Sequence, residues 1–193
     1  MTVRRATAAD LDRVADTLAR AFANDAHVRA TVPAAGFEER LRSLYALYAE
    51  TTLALGELWV AGDGAAAAMW QPPGGAPAAP ALKERVAELL GERFGAYAAA
   101  ASLGAAHRPE REHFYLAGMG TAPEHQGSGL GGAVIAPVLA RCDAEGLPAA
   151  TDTSTALGAA FYERRGFVVT TRYEEPSGGP VWVLCRPPAA QRG

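Results

Sequence analysis

The sequence is poor in lysine, in cysteine and in net charge. Lys83 is its one lysine, and every other basic residue is arginine. With 18 basic and 21 acidic residues, the formal charge is −3. Nonspecific nucleic-acid binding needs clustered positive charge, so no nucleic-acid partner is expected. The 2 cysteines, Cys142 and Cys185, exclude a disulfide-dense scaffold and a four-cysteine zinc site. His113 and His125 have no companions at metal-ligand spacing, so no metal is expected. Apolar runs are short as well. None approaches the roughly 18 residues of a membrane span, and the run Ala98–Ala101 is only alanine. No apolar stretch follows Met1–Arg5, which argues against a secretory leader. The expectation is a cytoplasmic protein with no membrane partner. At about 150 residues per domain, residues 1–193 read as a single domain.

What is present is alanine, 44 of them, so a hydrophobic share of 49% overstates the bulky core-forming content. Thr2–Ala6 reads as a short strand. Thr7, with Asp10 three residues on, supplies a helix start. Leu11, Val14, Leu18, Ala21 and Phe22 follow at helical spacing. Asn24–Gly36, which contains Pro33, reads as a loop. Leu41, Leu44, Leu47 and Tyr48 share one face of a helix over Phe37–Leu55. Leu58–Ala61 and Ala65–Gln71 flank Gly62-Asp63-Gly64, a hairpin signal. Gln71–Pro80 reads as a surface loop and Ala81–Leu103 as one long helix.

The second half alternates. A strand over His113–Thr121 precedes a helix over Gly129–Glu145. A strand over Pro148–Thr153 precedes a helix over Ala156–Arg165. Strands over Phe167–Tyr173 and Val181–Arg186 close the chain around a turn at Pro176–Pro180. This order predicts an α/β core.

Gln126-Gly127-Ser128-Gly129-Leu130-Gly131-Gly132 joins a strand to a helix. Small residues let backbone amides approach an anion, and the helix start favours phosphate. The bland alternative is a tight turn. Gly127, Gly129 and Gly132 also fit a dinucleotide fingerprint, with Asp152 as its acid. The connection from Ala122 to Gly127 is too long for that turn, and too little chain follows Asp152 to complete a doubly wound sheet.

Gln126, Gly129 and Gly131 also fit the pattern Q/R-x-x-G-x-G/A. Met119-Gly120-Thr121 precedes it, and Ala160-Phe161-Tyr162-Glu163-Arg164-Arg165-Gly166-Phe167 follows. In these segments the chain resembles the GCN5-related N-acetyltransferases. Further segments, among them Ala21-Phe22-Ala23, His107-Arg108-Pro109 and Glu124-His125-Gln126-Gly127, are similar to the puromycin-acetylating branch of that superfamily. The resemblance implies a mixed, mostly antiparallel central sheet flanked by helices. It implies acetyl-CoA as donor and a small-molecule primary amine as acceptor, puromycin or a related aminonucleoside, with antibiotic resistance as the role. Another small amine, a protein N-terminus, or acyl-CoA binding with little turnover are the alternatives.

The resemblance implies that Gln126, Gly127, Ser128, Gly129, Leu130 and Gly131 hold the pyrophosphate, and that Met119, Gly120 and Thr121 hold the thioester arm. It places Tyr162 at the sulfur, where the alternative is a core aromatic beside Phe161 and Phe167. Asp152 is the candidate base, or else it caps the next helix or pairs with an arginine. Phe22 and Trp70 are candidates for the acceptor pocket, and Trp70 reads equally as core. Two positions depart from the family pattern: Asp152 stands where the family has glutamate, and Gly158 where it has asparagine.

Overall fold

The computed structural model describes residues 2–75, 80–176 and 178–191. Seven strands form one sheet: β1 (Val3–Arg5), β2 (Glu57–Ala61), β3 (Ala66–Gln71), β4 (Phe114–Thr121), β5 (Ala149–Thr153), β6 (Val168–Glu174) and β7 (Pro180–Arg186). Their order is β1-β2-β3-β4-β5-β7-β6. Every pairing is antiparallel except β4 with β5. The sheet is therefore mixed and mostly antiparallel, as the resemblance implies.

Helices cover both faces. One face carries α1 (Leu11–Phe22), α2 (Ala26–Thr31), α3 (Phe37–Leu55) and α4 (Pro80–Leu90), packed on Leu58, Val60, Ala67 and Met69. The other carries α6 (Leu130–Glu145) and α7 (Ala156–Glu163), packed on Phe114, Leu116, Trp70 and Leu184. Helix α5 (Phe94–Ala106) leads into β4. At the centre of β3, Ala66, Ala67 and Ala68 are fully buried. Thr7 opens a 3₁₀ turn over Ala8–Asp10 that leads into α1: the Thr7 N–H donates to Asp10 at 2.8 Å, and Arg4 grips the same carboxylate at 2.7 and 2.8 Å. The Arg4 hydrogen bonds hold the Asp10 carboxyl well below the usual carboxylate range.

Two expectations need correction. The segment Asn24–Gly36 is not all loop, because Asp25 accepts from the Val28 N–H at 3.1 Å and so caps α2. The long helix over Ala81–Leu103 is two helices. Gly91 takes a φ of +51° in a 3₁₀ turn over Gly91–Arg93, which separates α4 from α5. Val86, Leu90, Phe94 and Tyr97 keep a helical spacing straight across that glycine, so periodicity alone does not reveal the break. Residues 76–79 of the expected Gln71–Pro80 loop, and Ser177 of the last turn, lie outside the described residues.

The parallel pair β4–β5 is short. Its register runs Phe114–Ala149, Tyr115–Ala150 and Leu116–Thr151, then stops. Beyond it, β4 stays with β3, after a bulge that leaves Ala117 without a counterpart. Strand β5 stays with β7 through Asp152–Val183 and Thr153–Trp182. The two strands thus diverge into a fork at the middle of the sheet.

Candidate active site

Strand β4 ends at Thr121, and the chain reaches α6 through Gly127 and Gly129, with φ of +78° and +86°. Only glycine adopts these angles at no steric cost. The turn is held by the Gln126 amide donating to Thr121 O at 3.3 Å and by the Ser128 hydroxyl donating to His125 O at 2.5 Å. The first N–H groups of α6, those of Leu130, Gly131 and Gly132, have no carbonyl of their own helix to bind. A Cβ at Gly131 would stand 3.3 Å from Thr121 Oγ1 and 3.4 Å from Met119 Sδ, so the helix start lies tight against the end of β4.

A cleft of about 460 Å³ opens along this turn. Its strand side is Met119, Gly120 and Thr121, its helix side Gly129, Leu130 and Gly131, and its far wall Phe161, Arg164 and Arg165. The Arg165 guanidinium lies 3.6 Å from the Phe161 ring centroid and donates to Phe161 O at 2.7 Å. Burial, and then the like charge of Arg164, lower its pKa from the usual arginine value. An anion in the cleft would relieve both effects, and the helix dipole adds to the attraction.

The fork meets this cleft near its strand side. Tyr162 on α7 is 7% exposed and packs with Phe161 and Phe167, at ring separations of 5.1 and 5.4 Å. Burial pushes its phenol up to about 12, and the Thr151 side chain at its hydroxyl partly opposes that rise. Thr151 is the last residue of β5 paired with β4, and it donates to Leu116 O at 3.0 Å. Side chains alternate along a strand, so Asp152, the next residue, projects from the opposite face. There it accepts a hydrogen bond from the Tyr115 hydroxyl.

Residues 85–169 match the family model of the acetyltransferase (GNAT) domain. That stretch, which is similar to a GNAT acetyltransferase domain, contains the glycine turn, Asp152 and Tyr162. Solved structures agree over almost the whole chain. An acetyltransferase from Corynebacterium glutamicum, of the histone acetyltransferase HPA2 and related acetyltransferase kind, is 27% identical, with a TM-score of 0.78 over 97% of this chain and 96% of its own. The polyamine N-acetyltransferase of Drosophila melanogaster is 17% identical, with a TM-score of 0.64 over 96% and 99%. Arylalkylamine N-acetyltransferase 2 of Aedes aegypti is 14% identical, with a TM-score of 0.61 over 96% and 98%. The chain is an enzyme, an N-acetyltransferase, and GNAT enzymes take acetyl-CoA as co-substrate. Among the described residues no helix is long and apolar enough to cross a membrane, and no group of three or more His, Cys, Asp or Glu is arranged to hold a metal.

The cleft gathers Met119, Gly120, Thr121, Gln126, Gly127, Gly129, Leu130 and Gly131 from the expected cofactor set. Ser128 instead turns its hydroxyl back onto the loop. Phe22 also reaches the cleft and stacks on Tyr45 at 5.4 Å. Trp70 does not: it is 0% exposed in the core beside Phe114 and Leu116, so of its two readings the core one describes its place. Asp152 caps no helix, because Thr155 caps α7 by accepting from the Gly158 N–H at 3.0 Å. Gly158 is explained by crowding, since a Cβ there would collide with Thr153 Oγ1.

Sequence reading missed several neighbours of the site. Arg164 and Arg165 lie inside the Ala160–Phe167 segment as an adjacent pair of like charges, with no role assigned to them from sequence. Alternation along β4 would have set Tyr115 on the face opposite Phe114 and Leu116. Asp25 reaches across the sheet to accept from the Ser154 hydroxyl at 2.7 Å, and His27 meets Glu175 at 2.9 Å. His107 stacks on Tyr173 at 4.4 Å. No local pattern marks these residues, because the fold alone brings them together.

Proposed function

We propose that this chain, as one domain over residues 1–193, moves the acetyl group of acetyl-CoA to a primary amine of a small molecule, puromycin or a related aminonucleoside. Acetylation would block that amine, and resistance to the antibiotic would follow. One observation carries the reading: a cleft lined by a helix start runs to a fork whose two faces bear Tyr162 and Asp152. The pyrophosphate takes the amides of Gln126 to Gly131, including Gly127, Ser128, Gly129 and Leu130, with Arg164 and Arg165 opposite. The thioester lies along Met119, Gly120 and Thr121.

The chemistry needs a neutral amine, a seat for the oxyanion and help for the leaving thiolate. An α-amine with a pKa of about 7.7–8.0 is roughly a tenth neutral at pH 7, so Asp152 has only to receive the proton released as nitrogen bonds to the carbonyl carbon. The C–S bond breaks and the sulfur keeps its electron pair. Tyr162, at about 12, is a weaker acid than a thiol near 8.5 by about 3.5 pH units, roughly 5 kcal/mol. Its hydroxyl therefore donates a hydrogen bond to the thiolate, which takes its proton from water on release.

Phe22 stacked on Tyr45 supplies an aromatic wall for a nucleoside or aryl acceptor. A second reading rests on Asp25, Asp152 and Glu175, three carboxylates from separate segments, of which Asp25 pairs with Ser154, Asp152 with Tyr115 and Glu175 with His27. They favour an acceptor with more than one cationic amine, such as a polyamine. Mass spectrometry of puromycin and spermidine after incubation with acetyl-CoA tests both. One added acetyl on puromycin, far above the enzyme-free control, is expected. Rapid acetylation of spermidine with none of puromycin selects the second reading.

A further inference from the structure

The Asp152 side chain is exposed at the end of a strand, where a carboxylate would ordinarily swing between rotamers. Here one oxygen is fixed. Tyr115, 8% exposed, is the middle residue of the short β4–β5 pairing and donates its hydroxyl proton to Asp152 Oδ1. Tyr115 is itself clamped. The Arg108 guanidinium lies 3.6 Å from its ring centroid, and the His113 ring meets its edge at 6.4 Å. Arg108 and His113 belong to the connector between α5 and β4, so that connector holds the phenol from outside the sheet.

We propose that Tyr115, with Arg108 stacked on its ring, is a positioning residue that aims Asp152 across the fork at the acceptor amine. The inference rests on Asp152 being the proton acceptor of the proposed reaction. Engaging Oδ1 leaves Oδ2 to face the amine. Burial, and then the Asp152 charge itself, hold the Tyr115 phenol far above its ordinary value, so it stays a donor at any working pH. The other titratable groups around Asp152 are Tyr162 from α7, Tyr173 from β6 and Arg108. Beyond Tyr173 lie His107 and Glu175. None of these is placed by the structure to donate to Asp152 as Tyr115 does. Tyr115→Phe removes one hydroxyl and keeps the ring under Arg108.

The test is a double-mutant cycle on kcat, read as thiol release from acetyl-CoA with whichever of puromycin, spermidine and tyramine reacts fastest. Asp152→Asn is expected to lose about a hundredfold in kcat and Tyr115→Phe about tenfold, within the usual range of acid–base help. Acetyl-CoA KM should be unchanged in both. The double variant should be no slower than Asp152→Asn alone, within about twofold, because the two side chains act as one unit. Losses that multiply to about a thousandfold would make Tyr115 an independent structural residue and overturn the inference, as would a Tyr115→Phe enzyme with wild-type kcat. Thermal melting of Tyr115→Phe close to wild type confirms that the loss is not unfolding. Wild-type kcat in Asp152→Asn would instead overturn the base assignment itself. No turnover of any of the three amines would remove both.

Discussion

The two sides of the β4–β5 fork are built in different ways. The side proposed to hold the donor is made mostly of backbone: one turn from Gln126 to Gly131 and the end of β4. The side proposed to receive the acceptor is made of side chains from separate stretches of sequence, with Asp25, Arg108, Tyr115, Asp152, Ser154 and Tyr173 brought into their contacts only in the folded chain. A backbone site is written locally, as glycines at fixed spacing. A side-chain site is written in the topology. In the proposed reaction the first would serve any substrate that shares one anionic handle, whereas the second would be where an acceptor is chosen.

That difference can be broken or sharpened by substitution. The largest effect is expected where the two sides meet. Tyr162→Phe should lower kcat by about ten- to several-hundredfold with little change in the acetyl-CoA KM, because a transition-state interaction is lost. Steady-state kinetics decide it, and wild-type kcat would return Tyr162 to the core. On the donor side, Gly129→Leu forces a side chain onto a φ of +86°. Acetyl-CoA affinity should fall tenfold or more, about 1.4 kcal/mol, as read by calorimetry on the folded variant. Unchanged affinity would mean that the turn does not hold the donor.

On the acceptor side, Ser154→Ala removes the hydroxyl that donates to Asp25 at 2.7 Å. A hydrogen bond of about 0.5–1.5 kcal/mol predicts an acceptor KM raised about two- to tenfold, with acetyl-CoA affinity untouched. An equal loss for both substrates would erase the distinction between the sides. The smallest effect spans the two sides. Burial raises Tyr162 and Tyr173 to about 12, and raises Tyr45, Tyr48 and Tyr115 further. In the unfolded chain a phenol ionises near pH 10. The folded state therefore loses nothing below that pH and loses stability as pH climbs from about 10 toward 12. Phenolate absorbance should rise mainly with alkaline unfolding. Stepwise ionisation of the native protein near pH 10 would contradict it.

The legibility of the sequence follows the same line. The hairpin at Gly62-Asp63-Gly64, the helix over Phe37–Leu55 and the strand, glycine turn and helix around Gly129 carry local signals, and the fold has them where expected. The break at Gly91 is hidden because Val86, Leu90, Phe94 and Tyr97 continue the helical period across it. The helix after Asp25 was hidden because a six-residue element shows barely more than one turn of pattern. Trp70 illustrates a different limit: an aromatic at a strand end looks alike whether it faces a ligand or a core. Tyr115 and Arg108 carried no local mark at all. What makes them matter is the three-residue length of one parallel pairing, which appears only when β4 meets β5.

The buried alanines at the centre of β3 have a consequence for how this enzyme holds its shape. Ala66, Ala67 and Ala68 have no side-chain rotamers to freeze, so that part of the sheet orders without side-chain entropy loss. They also bury little apolar area each, which shifts the weight of the core onto a few large residues such as Trp70, Phe114 and Phe167. Such a core has no slack. A valine in place of Ala67 adds bulk between two close-packed layers, where overpacking typically costs about 1–3 kcal/mol. Tolerance to mutation is therefore uneven, lowest in the small residues that a composition table would rank as least important.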